Sequence, residues 1–398
     1  MRTLLEPRVR PRSRSGTRYA RKPPELGTVF NLVHLSDLHF GWPEIGAFGQ
    51  FPADVGWINE ISQDNTCLSD KMFWFAINTF SGNKNVSFPT CHSPMAIAAF
   101  LTTLNAPDFQ RDFPVDSFIV TGDIATTGSV EDLAKAKQFF SNGILHDSIL
   151  PGLDVVSDTA VSKRPIVLLP GNHDRYSRHI RTPSSTSFET VFGTEWNDLP
   201  INKAGTTSNA RTYGDRVRVF PLARKQGDIL AIVAIDCTFR TIGQAKMRKL
   251  EWLGQGLVDN RIIEQVALAT TRTRQLAVMQ GRKCAVLWAI HYCPFSSGAL
   301  ELKSLDRLIK SAADLGVGFW LTGHSHKCYK DELKNSQGNI TVLNAGAAFS
   351  ACRYPNKFSF LHHKVCIHEG GEPKIKTTAF RLDVDEGIFK RVPIQKYS

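Results

Sequence analysis

Short apolar runs, each followed by a polar cluster, recur along the 398 residues of this chain. Runs of three to six mostly apolar residues are typical of strands that are buried on both faces. In each case the polar cluster marks the carboxyl end of the run. We therefore predict six buried strands, at residues 32–35, 118–120, 166–169, 285–290, 319–321 and 340–343.

Between the predicted strands, apolar residues recur at three- and four-residue steps, which is typical of amphipathic helices. One helix is predicted to begin after Ser129, whose side chain can cap its first turn. A second is predicted over residues 95–104, with Ser93 as its cap and Pro94 at its first position. A third is predicted around residues 247–257. Repeated alternation of strand and helix predicts an α/β domain whose ligand site lies at the carboxyl ends of the strands.

Two segments, residues 41–92 and 176–225, fit this alternation poorly. Both are long, both contain many Gly and Ser residues, and both begin where a predicted strand ends. Segments placed in this way commonly cover or shape a binding site. We predict a tail at residues 1–27 and a single domain over residues 28–398 into which the two segments are inserted.

The composition is that of an ordinary globular protein, with 42% hydrophobic and 21% charged residues, and it excludes a largely disordered chain. The formal net charge of +11 is unevenly distributed. Residues 1–25 carry eight basic and two acidic side chains, and a tail of this composition should be unfolded by itself. It could contact nucleic acid, anionic lipid or an acidic partner, or have no function at all.

The eight cysteines show no C-x-x-C pair and no regular spacing, which indicates a reducing compartment. The basic start is not followed by the apolar core of a signal peptide, and no run approaches the roughly 18 apolar residues of a membrane span. We therefore expect a soluble, cytoplasmic protein without a transmembrane segment. The sequence assigns no oligomeric state.

Most of the polar clusters are weak signals when each is taken alone. Asp37 and His39 are two residues apart, which at a strand end would point both side chains the same way. A capped turn beside a stray histidine is nonetheless the commoner case. His324 and His326 repeat the same spacing, while His291 by itself could be a core histidine whose ring is satisfied.

The cluster formed by Asn172, His173 and Asp174 is more distinctive, because three adjacent polar side chains are hard to bury without a purpose. Gly171, just before them, allows an unusual backbone conformation. Order adds to the signal, since Asp-x-His, Gly-Asp, Gly-Asn-His-Asp, His and Gly-His-x-His follow one another, each after a predicted strand. In this set and order the sequence resembles the calcineurin-like metallophosphoesterase superfamily, over residues 31–346.

This resemblance implies both a fold and a metal centre. The fold would be α/β, a four-layer αββα sandwich with two mixed β-sheets. The centre would hold two divalent cations about 3.5 to 4 Å apart, bridged by Asp123. Carboxylate, amide and imidazole ligands without thiolate suit Mn, Fe, Co, Ni or Zn in a catalytic role. The resemblance assigns Asp37, His39, Asp123 and His326 to the first cation, and Asp123, Asn172, His291 and His324 to the second.

The chemistry of phosphoester hydrolysis explains these residue types. A phosphoester is anionic and repels hydroxide, so the reaction needs positive charge beside the phosphoryl oxygens and a nucleophile deprotonated near neutral pH. The resemblance assigns in-line attack to a hydroxide that bridges the metals. It makes His173 the residue that protonates the leaving oxygen or stabilises the phosphoryl group, with Asp174 orienting the His173 ring.

The substrate is marked less sharply than the reaction. Residues 122–128 lack the Asp-Arg-Gly of the protein Ser/Thr phosphatase branch, which argues against a phosphoprotein. Residues 250–253 and 344–346 resemble the bacterial branch that includes cyclic-nucleotide phosphodiesterases. A small-molecule phosphodiester is therefore favoured over nucleic acid. The alternatives are a nuclease of the same superfamily, which the net charge favours mildly, and a catalytically silent scaffold for protein partners.

Overall fold

A computed structural model describes thirteen ranges of the chain, and the structural statements that follow concern these residues. Residues 1–26 of the predicted tail lie outside the described residues, as do positions 42–91 of the first predicted insertion and 247–253 of the predicted third helix. The described ranges are 27–41, 92–126, 128–142, 144–145, 155–156, 164–175, 186–199, 210–223, 227–239, 254–297, 300–336, 338–350 and 358–397.

Strands and helices alternate along the first two thirds of the chain, and strands dominate the last part. The helices are α1 Pro94–Asn105, α2 Pro107–Asp112, α3 Val130–Asn142, α4 Ser187–Phe192, α5 Asn260–Met279 and α6 Leu305–Asp314. The strands are β1 Thr28–Leu35, β2 Ser117–Thr121, β3 Ile144–Leu145, β4 Val155–Val156, β5 Ile166–Leu169, β6 Arg211–Tyr213, β7 Val217–Ala223, β8 Ile229–Ile235, β9 Gly256–Leu257, β10 Cys284–Ile290, β11 Leu302–Lys303, β12 Phe319–Thr322, β13 Cys328–Asn335, β14 Gly338–Ala345, β15 Ser359–Ile367, β16 Pro373–Asp383 and β17 Ile388–Val392.

Two large mixed sheets organise these strands. The first has the order β17-β16-β15-β1-β2-β5, in which β1, β2 and β5 run parallel to one another. The second has the order β13-β14-β12-β10-β8-β7-β6, in which β8, β10, β12 and β14 are parallel. Antiparallel strands complete both sheets on their outer sides. All of these parallel strands except β8 are followed by a predicted polar cluster.

Strand β8 shows how the layers are stacked. Ile232 belongs to the hydrophobic core shared with the first sheet, as do its neighbours two residues away, Leu230 and Ala234. Ala231 and Val233 instead join the core that α5 and α6 complete. Because side chains alternate along a strand, β8 is buried on both faces, between the first sheet and the helices. With α1 and α3 packed into the core of the first sheet, the fold is a four-layer αββα sandwich with two mixed sheets, as predicted.

The sequence predicted much of this arrangement. All six predicted strands are present, as β1, β2, β5, β10, β12 and β14. The predicted caps are confirmed as well, since Ser93 accepts the N–H of Ala96 at 3.2 Å and Ser129 accepts that of Asp132 at 3.1 Å. The helix α5 and the strands β15 to β17 were not predicted. Residues 211–223, placed in the second predicted insertion, form β6 and β7 of the second sheet.

Replacing Ile232 by Ala should lower the free energy of unfolding by about 2–5 kcal/mol, because it opens a cavity between the two sheets. Leu268→Ala on α5 is the matched control. Its side chain is 59% exposed, so we expect a change within about 0.5 kcal/mol. Urea unfolding followed by circular dichroism measures both. Equal losses would contradict the placement of Ile232 between the sheets.

Candidate metal centre

Side chains that follow parallel strands of both sheets meet in two groups. Within each group the candidate ligand atoms lie within 4.8 Å of one another. The first group joins the loop after β1 to the loop after β12, and the second joins the loop after β2 to the loops after β10 and β12. All six residues are among the ligands expected from the sequence. The first group is Asp37, His39 and His326, and the second group is Asp123, His291 and His324.

In the first group, Asp37 contacts both histidines of the loop after β12. Its Oδ1 lies 3.2 Å from Nε2 of His326, and its Oδ2 accepts the backbone N–H of His324 at 3.0 Å. Burial opposes ionisation, but the neighbouring His326 outweighs it and lowers the pKa of Asp37 to about 2. Burial and the nearby ring of His173 lower the pKa of His39 to about 3. His39 is therefore neutral, which is the form of imidazole that binds metals.

In the second group, His291 lies at the centre of the contacts. Its Nε2 lies 3.1 Å from Oδ1 of Asn172 and 3.1 Å from Nδ1 of His324, so the seventh expected ligand, Asn172, adjoins this group. Its Nδ1 lies 2.7 Å from the carbonyl oxygen of Thr121. Burial disfavours a charged ring, but Asp123 outweighs it and raises the pKa of His291 to about 9. A cation bound here would displace that proton, because imidazole ligates metals in its neutral form.

Asp123 belongs to the second group and also faces the first. Its Oδ2 is 3.3 Å from Nε2 of His291 and 4.0 Å from Nε2 of His39. Its Oδ1 accepts the backbone N–H of His173 at 2.9 Å. Burial favours the neutral acid, yet the surrounding imidazoles, His291 first, hold the pKa of Asp123 well below its usual range. One oxygen of an ionised carboxylate thus faces both groups, while the other holds the loop after β5.

The backbone at these groups adopts a conformation that few side chains tolerate. Seven non-glycine residues have a positive φ in the described part of the chain, and five of them are expected metal ligands. Left-handed backbone costs roughly 1–2 kcal/mol per residue and persists only where its surroundings hold it. The i, i+2 pairs therefore depend on left-handed turns and not on strand alternation, which is a correction of the prediction. The five ligands are Asp37, His39, Asp123, His324 and His326.

His173 stands beside the first group, at the start of a 3₁₀ turn over His173–Arg175. Its ring is 4.8 Å from that of His39, edge to face. Its Nδ1 lies 2.9 Å from the carbonyl oxygen of Thr126. A carbonyl oxygen can only accept, so Nδ1 carries a proton and the ring has a fixed orientation.

The predicted contact between Asp174 and the ring of His173 is wrong. Asp174 is fully buried and accepts three backbone N–H groups, from Ala125 at 2.8 Å, Gly171 at 2.8 Å and Ile124 at 3.1 Å. The 3₁₀ turn directs this carboxylate toward the main chain, where it binds the loop after β2 to the loop after β5. Thr126, through its carbonyl group, takes the role that we expected of Asp174.

Sequence reasoning also missed the supports of the other ligands. Thr121 orients His291 through a carbonyl group, which every residue possesses, so the residue type carries no signal. Asn344, near the end of β14, donates to the carbonyl oxygen of Lys327 at 2.6 Å and to the hydroxyl of Ser325 at 3.0 Å. Asn344 thereby holds the loop that carries His324 and His326. Asn344 could be noticed in the sequence because it directly follows an apolar run, but the sequence does not indicate which groups it binds.

The two groups fit divalent cations. Within the described residues, both ring nitrogens of His39 and Nε2 of His324 are buried without a hydrogen-bond partner. A buried polar atom in this condition costs roughly 1–3 kcal/mol, and each of these atoms can ligate a cation. The carboxylates and imidazoles come without a thiolate, a donor set that suits Mn, Fe, Co, Ni or Zn.

The family comparison covers most of the chain. Residues 30–328 match the family model described as calcineurin-like phosphoesterase. This span contains every residue of the two groups, together with Asn172, His173 and Asp174. A comparison with curated protein sequences gives no match.

Several solved structures are similar to the chain. A dimetal phosphatase from Danio rerio is 10% identical, with 87% of this chain and 98% of that chain covered and a TM-score of 0.43. A calcineurin-like phosphoesterase from Bacillus subtilis is 12% identical, with 92% and 93% covered and a TM-score of 0.39. A protein described as the anchor in the inner membrane complex of Plasmodium is 9% identical, with 92% and 90% covered and a TM-score of 0.40.

Replacing Gly171 by Ala should lower the affinity for Mn²⁺ by about 10–100-fold, the usual effect of disturbing a ligand's support. A methyl group there would lie 2.2 Å from Oδ1 of Asp123 and 2.3 Å from its backbone nitrogen, so the carboxylate must move. Gly318→Ala is the control, because the nearest atom, the carbonyl oxygen of Asn339, is 4.0 Å away. Isothermal titration with MnCl₂ measures both, and unchanged affinity in Gly171→Ala would contradict the assignment.

Proposed function

Because this chain belongs to the calcineurin-like phosphoesterase family, we propose that it hydrolyses a phosphodiester with the help of two divalent cations. The position of Asp123 is the observation that carries the proposal. Its Oδ2 faces His39 of the first group and His291 of the second, which suits a carboxylate that bridges two cations. The proposed ligands are Asp37, His39, Asp123 and His326 for one cation, and Asp123, Asn172, His291 and His324 for the other.

The cations would supply positive charge beside the phosphoryl oxygens and lower the pKa of a water molecule. The protein's own residues orient the groups around that chemistry. We propose that His173 protonates the leaving oxygen or stabilises the phosphoryl group in transfer, which the fixed orientation of its ring by the Thr126 carbonyl supports. Asp174 contributes by joining Ile124 and Ala125 of the loop after β2 to Gly171, just before the turn that His173 begins. Asp37 and His39 are fully buried, so bulk water is kept from these ligands.

A small phosphodiester, such as a cyclic nucleotide, is the substrate class that we propose. The loop after β2 reads Ile124-Ala125-Thr126 and contains no arginine that would clamp a phosphoprotein. The N–H groups of Ile124 and Ala125 are bound by Asp174, and the carbonyl group of Thr126 by His173. This loop therefore supports the turn His173–Arg175, which we call the proposed catalytic turn. Single-stranded nucleic acid is the second candidate, favoured by the net charge of +11.

We also propose a cytoplasmic location. The five described cysteines, Cys237, Cys284, Cys293, Cys328 and Cys366, are free thiols, as expected in a reducing compartment. In the described ranges no helix is long and apolar enough to span a membrane.

His173→Ala should lower kcat toward bis-p-nitrophenyl phosphate by about 10²–10⁴-fold, because it removes the proposed proton donor. Bound Mn²⁺, measured by elemental analysis, should stay the same, since His173 belongs to neither group of ligands. His368→Ala is the control, because that side chain is exposed and remote in sequence from the proposed ligands. An equal loss of metal and of turnover would show that His173 is a ligand instead.

Asp123→Asn should abolish turnover of every substrate and lower the number of Mn²⁺ ions bound, because an amide is a poor bridge between two cations. Asp306→Asn, at an exposed position on α6, is the control.

The substrates to be compared are cyclic AMP, bis-p-nitrophenyl phosphate, p-nitrophenyl phosphate and single-stranded DNA, each with Mn²⁺ added. We expect the small diesters to react fastest. Fastest cleavage of DNA would favour a nuclease, and no turnover by a metal-loaded protein would favour a scaffold.

A further inference from the structure

A buried arginine adjoins the proposed catalytic turn without taking part in the chemistry described above. Arg175 ends the turn that His173 begins, and only 1% of its surface is exposed. Its guanidinium donates to the two carboxylate oxygens of Glu189 at 2.6 and 2.8 Å. It also donates to Oδ2 of Asp236 at 2.8 Å. The planar fork of donors on arginine suits such paired contacts, and the single ammonium of lysine does not.

The two carboxylates belong to different parts of the fold. Glu189 lies on α4, within the described segment 186–199. Asp236 directly follows β8 of the second sheet, where its Oδ1 also accepts the backbone N–H of Thr238 at 2.9 Å. The turn that carries Arg175 follows β5 of the first sheet. Arg175 therefore joins the first sheet to the second sheet and to segment 186–199.

Segment 186–199 is itself held at several points. Lys137 of α3 donates to the carbonyl oxygen of Val191 at 2.6 Å and to Asp198 at 2.8 Å. Trp196 donates to Oε1 of Glu189 at 3.3 Å. Arg218 of β7 donates to the carbonyl oxygen of Thr194 at 2.7 Å. The segment is thus braced between α3, the second sheet and the proposed catalytic turn.

We propose that Arg175 is a positioning residue, which fixes the turn presenting Asn172 and His173 against the second sheet and segment 186–199. The inference rests on the proposed function, because it assumes that His173 acts on the substrate. The backbone N–H of Arg175 donates to the carbonyl oxygen of Asn172 at 3.2 Å, so displacement of the arginine displaces both residues. Loss of the guanidinium would also remove the two closest ionic contacts, 2.6 Å to Glu189 and 2.8 Å to Asp236, which is unfavourable for buried carboxylates.

A matched pair of variants separates positioning from stability. Arg175→Lys removes the paired contacts of the turn. Arg218→Lys is the control, because Arg218 is 3% exposed and holds the same segment from the second sheet, by donating to the carbonyl oxygens of Thr194, Gly214 and Val217. Both variants should lower the melting temperature. Only Arg175→Lys should lower kcat toward bis-p-nitrophenyl phosphate, by about 10–100-fold, with KM within about threefold and bound Mn²⁺ unchanged. Glu189→Gln repeats the test if Arg175→Lys does not fold.

A second measurement does not depend on activity. In metal-free protein labelled with ¹⁵N-histidine, the Nδ1 proton of His173 that faces the Thr126 carbonyl should exchange slowly with water. Its NMR resonance is assigned by its absence in His173→Ala. Arg175→Lys should broaden or remove it, and Arg218→Lys should not.

The outcomes separate the two proposals. The inference is overturned if Arg218→Lys lowers kcat as much as Arg175→Lys, or if Arg175→Lys preserves both kcat and the His173 resonance. If the unmodified protein hydrolyses no ester but the resonance still distinguishes the two variants, the proposed function fails. In that case the positioning of His173 by Arg175 stands.

Discussion

The buried carboxylate of Asp123 is the group on which loops from both sheets converge. Its Oδ1 accepts the N–H of His173, and its Oδ2 faces His39 from the first sheet and His291 from the second. An ionised carboxylate inside a protein costs several kcal/mol unless it is paired. The histidines at this edge meet that requirement, either with a proton, as on His291, or by binding a cation beside it. The clustering of histidines around Oδ2 of Asp123 therefore stabilises the ionised carboxylate, in addition to serving the proposed function.

The grouping of the proposed ligands around one carboxylate strains the backbone. The left-handed residues of the two groups, at roughly 1–2 kcal/mol each, would cost a large part of a domain's stability if nothing opposed them. Main-chain hydrogen bonds offset part of this cost, since Leu38 and His39 both donate to the carbonyl oxygen of Asp123, at 2.8 and 3.0 Å. Close packing contributes too, because Gly122, with φ +90°, lies against Gly171 where no side chain fits. The doubly buried strands supply the rigid base that such a site needs.

The sequence predicted the parts of this arrangement that depend on local pattern. A strand that is buried on both faces, such as β10, is a nearly continuous apolar run. A capping serine binds a backbone N–H only three residues away. Both features can therefore be predicted from neighbouring residues in the sequence. The left-handed turns and the supports of the ligands depend on contacts between distant residues, and Thr121 and Thr126 act through carbonyl groups that no residue type marks. Asp174 shows the same limit, because two of the three N–H groups that donate to its carboxylate, those of Ile124 and Ala125, belong to another loop. Strand β16 was missed since exposed lysines interrupt its apolar pattern.

The positioning role that we propose for Arg175 concerns the end of the turn His173–Arg175. A segment that leaves a site freely would let the turn sample many conformations, and ordering each of its residues costs roughly 1–2 kcal/mol. The turn instead ends in a guanidinium that is fixed by Glu189 and Asp236, so displacement of residue 175 has to break buried ionic contacts. Such contacts add little net stability, but they are specific in geometry. Their value here would lie in geometry, since the proposed proton transfer from His173 depends on its position to within about an ångström.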